Sequence, residues 1–355
     1  MKKVVTAIVA LVLLALMALG YSHSAGHHGP EPEGKLNPKE IIFEHLGDAY
    51  GWEVPFNHSA RIPLPIIVLD KDNGLHCFSS SRITGGDTYE GFRIATAGDH
   101  KGKVVQVTPD GQEYRPWDLS ITKNAAGIFI AALVVVLMVM SVRNWYKKHG
   151  MTAPRKGTAF LELIVDFIYF DTIRPIMGKE AAKYGPYLLT AFFFIFTMNL
   201  LGLVVIFPGG ANLTGNLAVT MVLALMTYVI TSVTGTKHYW KEIFWPDVPM
   251  ALKCPVPMMP LIEFLGTLTK PLALMVRLFA NMLGGHMVVI VLILLTFIFT
   301  EMFGTAAGAG TSVVSVALAL FMLVLDTLIS FIQAFVFTLL STIFISMAHV
   351  HEEHA

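Results

Sequence analysis

Arg277 lies in the run Lys270-Pro271-Leu272-Ala273-Leu274-Met275-Val276-Arg277-Leu278-Phe279-Ala280-Asn281, and the residues from Met287 to Phe299 are almost purely apolar. A guanidinium stays charged at any workable pH, and holding it at membrane depth is costly. Such a charge acts on something, usually a carboxylate that must stay ionised; the plainer alternative is a structural ion pair or a side chain snorkelling to a headgroup. At about 100° per residue, Glu263, Lys270, Arg277 and Asn281 share one helix face. His286 falls nine positions beyond Arg277, on the opposite face and about 13 Å further along. Asp326 and Gln333, seven apart with Ser330 between them, share a face of a second apolar segment. Imidazole and carboxyl both exchange protons, and an amide offers donor and acceptor together. A fixed positive charge with titratable groups at other depths is a way to build two aqueous half-pathways that do not leak into one another. Glu263 reads either as a pathway carboxylate or as the partner of Lys270.

The elements that must position these groups are membrane helices. Hydrophobic residues make up 54% of the 355-residue chain and charged ones only 14%, so a soluble enzyme is excluded and a polytopic all-α membrane protein is expected. Lysine plus arginine and aspartate plus glutamate number 25 each, so net charge points to no nucleic-acid partner. Met1-Lys2-Lys3, the apolar stretch Val4 to Leu19, and Ser22-His23-Ser24-Ala25 have the layout of a signal peptide over residues 1–25. An attached first span is the competing reading.

Residues 26–122 are rich in Pro, Gly and charge, with short apolar runs at Ile62 to Leu69, Phe92 to Ala97 and Val104 to Val107. They predict a small external domain with strands, turning at Asp70 to Gly74 and Pro109 to Gly111. The membrane domain takes residues 123–355, with about five embedded helices. Ala125 to Val142 is its first span, and Arg143, Lys147, Lys148, Arg155 and Lys156 behind it place that flank in the cytoplasm. Phe160 to Phe170 predicts an amphipathic interfacial helix. Spans follow at Pro186 to Phe207 and Asn216 to Val233, and the loop 234–257 is again basic.

The last two helices, Pro260 to Phe299 and Thr311 to His349, are about twice the length a perpendicular span needs, which implies strong tilt or kinks. No internal repeat of the kind found in inverted-repeat transporters is present. Cys77 and Cys254 fall on opposite sides of the membrane, so they form no disulfide. His27-His28 and the C-terminal His349, His351 and His354 read as solvated histidines rather than a metal site, and no cofactor is expected.

The ordered set Lys270-Pro271, Arg277 through Gly285 and Gln333-Ala334-Phe335-Val336-Phe337, with Asn199 to Gly202 and the Glu162 region before it, resembles subunit a of the F-type ATP synthases, the stator half of the membrane motor. The resemblance covers most of residues 125–355. It implies a non-catalytic, proton-translocating subunit of the bacterial inner membrane, partnered by a c-subunit ring and peripheral-stalk b subunits. Arg277 would be the arginine that faces the ring carboxylates, Asn281 and Gln333 its polar neighbours, and Glu263 the carboxylate ahead of it. Many relatives carry glutamate in place of His286 and histidine in place of Asp326, so acid and base are exchanged here, which suggests that the two positions touch. No Gly-x-x-x-x-Gly-Lys-Ser/Thr sequence is present, and no nucleotide is expected on this chain. Two rival readings are a stand-alone proton-coupled transporter or channel, and a non-transporting scaffold for the external domain.

Overall fold

The computed structural model describes residues 47–54, 57–70, 74–83, 87–95, 100–107, 113–150, 152–154, 157–204, 210–244 and 258–349. The expected leader, His27-His28, the turn residues 71–73 and 109–111, Cys254, His351 and His354 lie outside them.

The N-terminal region builds strands β1 (Gly51–Val54), β2 (Asn57–Pro63), β3 (Pro65–Asp70), β4 (Gly74–Ser79), β5 (Phe92–Ile94), β6 (Val104–Val107), β7 (Glu113–Tyr114) and β8 (Trp117–Asp118). They pair antiparallel in three small sheets, β1-β2, β4-β3-β8 and β5-β6-β7. The expected strand at 62–69 is divided because Pro63 and Pro65 flank Leu64 and cannot donate to a ladder. Leu64 instead donates its N–H to Ser80 Oγ at 3.0 Å.

Strand β3 alternates, burying Ile66, Val68 and Asp70. The first two join Tyr50, Phe78, Ile83, Phe92 and Val104 in one apolar core. Buried Asp70 is hydrogen-bonded: Gln106 Nε2 donates to its Oδ2 at 2.8 Å, which offsets part of the cost of burying the carboxyl. The Tyr50 hydroxyl donates to Asp118. Burial, then that carboxylate, push its phenol well above the usual range.

This region is fastened to the first membrane helix, α1 (Lys123–His149), by its N-terminal amides. Lys123 N–H donates to the Ala49 carbonyl at 2.8 Å and Asn124 N–H to Asp48 Oδ1 at 3.1 Å. Two of the orphan donors of the helix start are thereby satisfied by the domain itself.

Helices α2 (Gly157–Asp166), α3 (Arg174–Met177) and α4 (Ala181–Leu203) form one helical run of 47 residues, joined by a π-helical turn at Phe167–Ile173 and a 3-10 turn at Gly178–Glu180. The segment expected as a separate interfacial helix is thus continuous with the next span. The wide turn carries Tyr169, whose ring packs where a Cβ on Gly185 would come within 2.5 Å, so only glycine fits there. Helix α5 (Leu217–Thr234) is N-capped by Asn216, whose Oδ1 accepts from Ala218 N–H at 3.0 Å. A short helix, α6 (Lys237–Phe244), follows.

Helices α7 (Met258–Phe303) and α8 (Thr305–Ala348) run longer at both ends of their connection than the sequence suggests. Only Gly304, at φ 87, separates them. A Cβ on Gly308 would meet Thr300 Oγ1 at 2.0 Å, which is how so short a connection closes. Among the described residues, five helical runs are long and apolar enough to cross a membrane.

The chain divides into two compact bodies. One holds the described residues up to Ile130 with Leu201–Asn212 and His286–Leu323. The other holds Ala131–Leu200, Leu213–Gly285 and the described residues from Val324 onward. In the second body the end of α8 is gripped on three sides. Thr236 N–H donates to the Ala348 carbonyl at 2.9 Å, Ser346 Oγ to the Ile176 carbonyl at 3.1 Å, and Tyr184 OH meets His349 Nε2 at 2.8 Å.

Candidate functional site

Within the second body α7 and α8 lie antiparallel. A Cβ on Gly285 would stand 2.9 Å from Asp326 Oδ2, and Lys270 Nζ lies 5.5 Å from the centre of the Phe344 ring. These two contacts fix the register. Eight residues back from Gly285 on α7 is Arg277; seven forward from Asp326 on α8 is Gln333. At about 1.5 Å per residue the two steps are about 12 and 10.5 Å, and counted from the Lys270–Phe344 contact they are about 10.5 and 16.5 Å, so Arg277 and Gln333 lie within about one helical turn of each other along the pair. Of the residues read from sequence, the structure therefore gathers Arg277, Asn281, Gln333 and Asp326 along one helix pair. Glu263 lies about 21 Å from Arg277 along α7, exposed, and is not part of that cluster.

Exposure divides the cluster in two. Arg277 is exposed and makes no ion pair with any described residue, and Ala273, Ala280 and Gly284 are exposed beside it at spacings of three and four. The charge thus stands on a narrow face of small side chains, where another helix can approach closely. Asn281 is half-buried one turn further on. Asp326, Ser330 and Gln333 are buried at i, i+4 and i+7 of α8. Asp326 Oδ2 has no hydrogen-bond partner among the described residues. His286 is half-buried, one residue past Gly285.

Sequence reasoning singled out Gly285 only as part of a motif. Its signal was the pair Gly284-Gly285 in an otherwise apolar helix: the first leaves the outer face bare, the second makes room for a carboxylate. It also passed over the hydroxyl chain further along. Tyr187 OH meets Thr227 Oγ1 at 3.0 Å, which meets Ser341 Oγ at 3.4 Å, linking α4, α5 and α8. Thr338, Ser341 and Thr342, three hydroxyls within two turns of α8 and all fully buried, were the legible trace of it. Asn199 Oδ1, deep in α4, accepts from the Thr214 hydroxyl at 2.7 Å. No group of three or more metal-ligating side chains is assembled among the described residues.

Comparison with known proteins gives the family. The ATP synthase A chain family matches residues 126–346, and a domain of unknown function (DUF8433) matches residues 41–120. ATP synthase subunit a of Chloroherpeton thalassium is 40% identical over 245 residues, covering 67% of this chain and 69% of the relative. Subunit a of Myxococcus xanthus is 41% identical over 248 residues, 67% and 77% of the two chains, and subunit a 2 of Prosthecochloris aestuarii is 36% identical over 260 residues, 71% and 77%. With five apolar helical runs among the described residues and a family match over most of its length, the chain is a multi-pass membrane protein that belongs to the ATP synthase A chain family.

Proposed function

We propose that this chain is the stator subunit of an F-type ATP synthase membrane motor, carrying two proton half-channels separated by Arg277. The observation that carries the reading is the outward presentation of Arg277 on a face of small residues, within about one helical turn of the buried amide of Gln333. The partner for that face is a ring of c subunits, each with a membrane-buried carboxylate. A carboxylate that arrives within about 4 Å of the guanidinium gains about 4 kcal/mol at an effective dielectric near 20, enough to drive off its proton. The same charge bars a proton from passing straight through.

The roles divide by position. His286 and Asp326 receive protons from one side and hand them to the ring, and Glu263 lies on the route of release. Asn281 and Gln333 orient the guanidinium and the passing carboxylate. The membrane potential drives the cycle with about 2.3 kcal/mol per charge per 100 mV. The chain itself catalyses no bond-making; nucleotide chemistry belongs to the rest of the complex, held to it through peripheral-stalk b subunits. Its setting is the bacterial inner membrane, with the strand-bearing domain outside and the end of α8 in the cytoplasm, as the basic flank of α1 directs.

The test is ATP-driven proton pumping in inverted vesicles that carry the whole complex with Arg277→Ala. Loss of pumping by an assembled complex is expected, together with a passive leak. Normal coupled pumping would sink the reading, and transport by the purified chain alone would favour a self-contained transporter.

A further inference from the structure

Away from the Arg277 cluster, α5, α6, α7 and α8 border a small recess, open to the outside, within the second body. Thr227, Tyr228, Thr231, Tyr239, Thr267 and Lys270 give it a polar side, and Ala224, Leu274 and Phe344 an apolar one. Lys270 is half-buried, its ammonium turned toward the Phe344 ring, and it makes no ion pair with any described residue. An ammonium on a membrane helix is stable when an anion or water reaches it, and the proton-transfer roles proposed above leave Lys270 unused.

The hydroxyls sort by what they still offer. Thr231 already donates its proton to the Thr227 carbonyl at 2.8 Å and Thr267 to the Glu263 carbonyl at 3.0 Å. Thr267 is also hydrogen-bonded to the Tyr239 side chain, which leaves the Thr231 oxygen as the acceptor lining the recess. Lys270 and the Tyr228 hydroxyl are donors without a described acceptor. The ligand that matches is an oxyanion with a hydroxyl donor a few bonds away and an apolar tail.

We propose that this recess binds the glycerol-phosphate headgroup of an anionic phospholipid, with the phosphodiester on Lys270 and Tyr228. A headgroup hydroxyl donates to Thr231, and the first carbons of an acyl chain lie along Ala224, Leu274 and Phe344. The bound lipid joins the ends of four helices at one membrane surface. This inference is independent of the proton-translocation reading.

The test is native mass spectrometry of the full chain, delipidated and then exposed to phosphatidylglycerol, to phosphatidylcholine or to inorganic phosphate. Wild type is expected to retain one phosphatidylglycerol, Lys270→Arg to keep it, and Lys270→Gln to retain at least about five-fold less. Thr231→Val removes an acceptor without touching the charge, and is expected to lower retention of phosphatidylglycerol while leaving the fold intact. Equal retention by wild type and Lys270→Gln would overturn the site. Equal retention of phosphatidylcholine, or occupancy satisfied by inorganic phosphate alone, would overturn the assignment of the headgroup.

Discussion

The Asp326 carboxylate lies against the bare Cα of Gly285, so close that a methyl group there would stand 2.9 Å from Oδ2 and 3.0 Å from Cγ. The glycine is the seat that lets a carboxylate enter the helix pair. Gly285→Ala is therefore expected to force the side chain or the helix aside, lowering thermal stability by the equivalent of about 1–3 kcal/mol and reducing proton flux. Pairing it with Asp326→Ala removes the clash, so the double variant should regain melting temperature without regaining flux. A single Gly285→Ala variant with unchanged melting temperature and unchanged flux would contradict the contact.

Arg277→Lys keeps the charge but shortens and reshapes it, exchanging a planar five-donor fork for a compact ammonium. In the proposed motor, where one fork serves both a passing carboxylate and the Gln333 amide, coupled pumping is expected to fall at least about ten-fold. Proton pumping by assembled complexes checks this; activity within two-fold of wild type would show that charge alone suffices.

Thr227 joins Tyr187 to Ser341. Thr227→Val deletes that link at nearly constant volume and is expected to cost about 0.6 kcal/mol, the average for an interhelical hydrogen bond in a membrane. Pumping should be unaffected, since the link is structural. Denaturation in detergent, compared with a Tyr187→Phe variant, checks whether the two changes are non-additive as a shared chain requires.

In the external region Tyr50 supplies a pH dependence. Burial and the Asp118 carboxylate raise its phenol above the ordinary value of about 10. The fold favours the neutral form, so the stabilisation from this group is complete below about pH 10 and is lost as pH rises through the raised value. A difference titration of wild type against Tyr50→Phe should show no phenolate from Tyr50 while ordinary tyrosines ionise. Wild type should also lose stability on that rise more steeply than the variant.

The membrane helices were legible because length and hydropathy alone decide them, and the polar positions within α7 and α8 stood out against apolar neighbours. Their register was not legible. It depends on Gly304 acting as the whole connection, whereas composition around 300–310 suggests a longer loop. The merger of α2 with α4 escaped for a similar reason. Charges at Glu162, Asp166 and Asp171 suggest an interruption, but the helix passes through them by widening one turn so that Tyr169 can lie on Gly185. The strand region was legible as strands, while its packing was not, because the partner of the buried Asp70 lies 36 residues away.

The two halves of α8 differ in a mechanical sense. From Val313 to Leu328 most of its large side chains are bare, with Val313 72% and Val324 66% exposed, whereas from Gln333 to Ala348 it is packed and its end is tied to Thr236, Ile176 and Tyr184. It is a beam clamped at one end. Within the second body, a load on that end passes through hydrogen bonds into the turn at Gly235-Thr236, the Ile176 carbonyl and the start of α4.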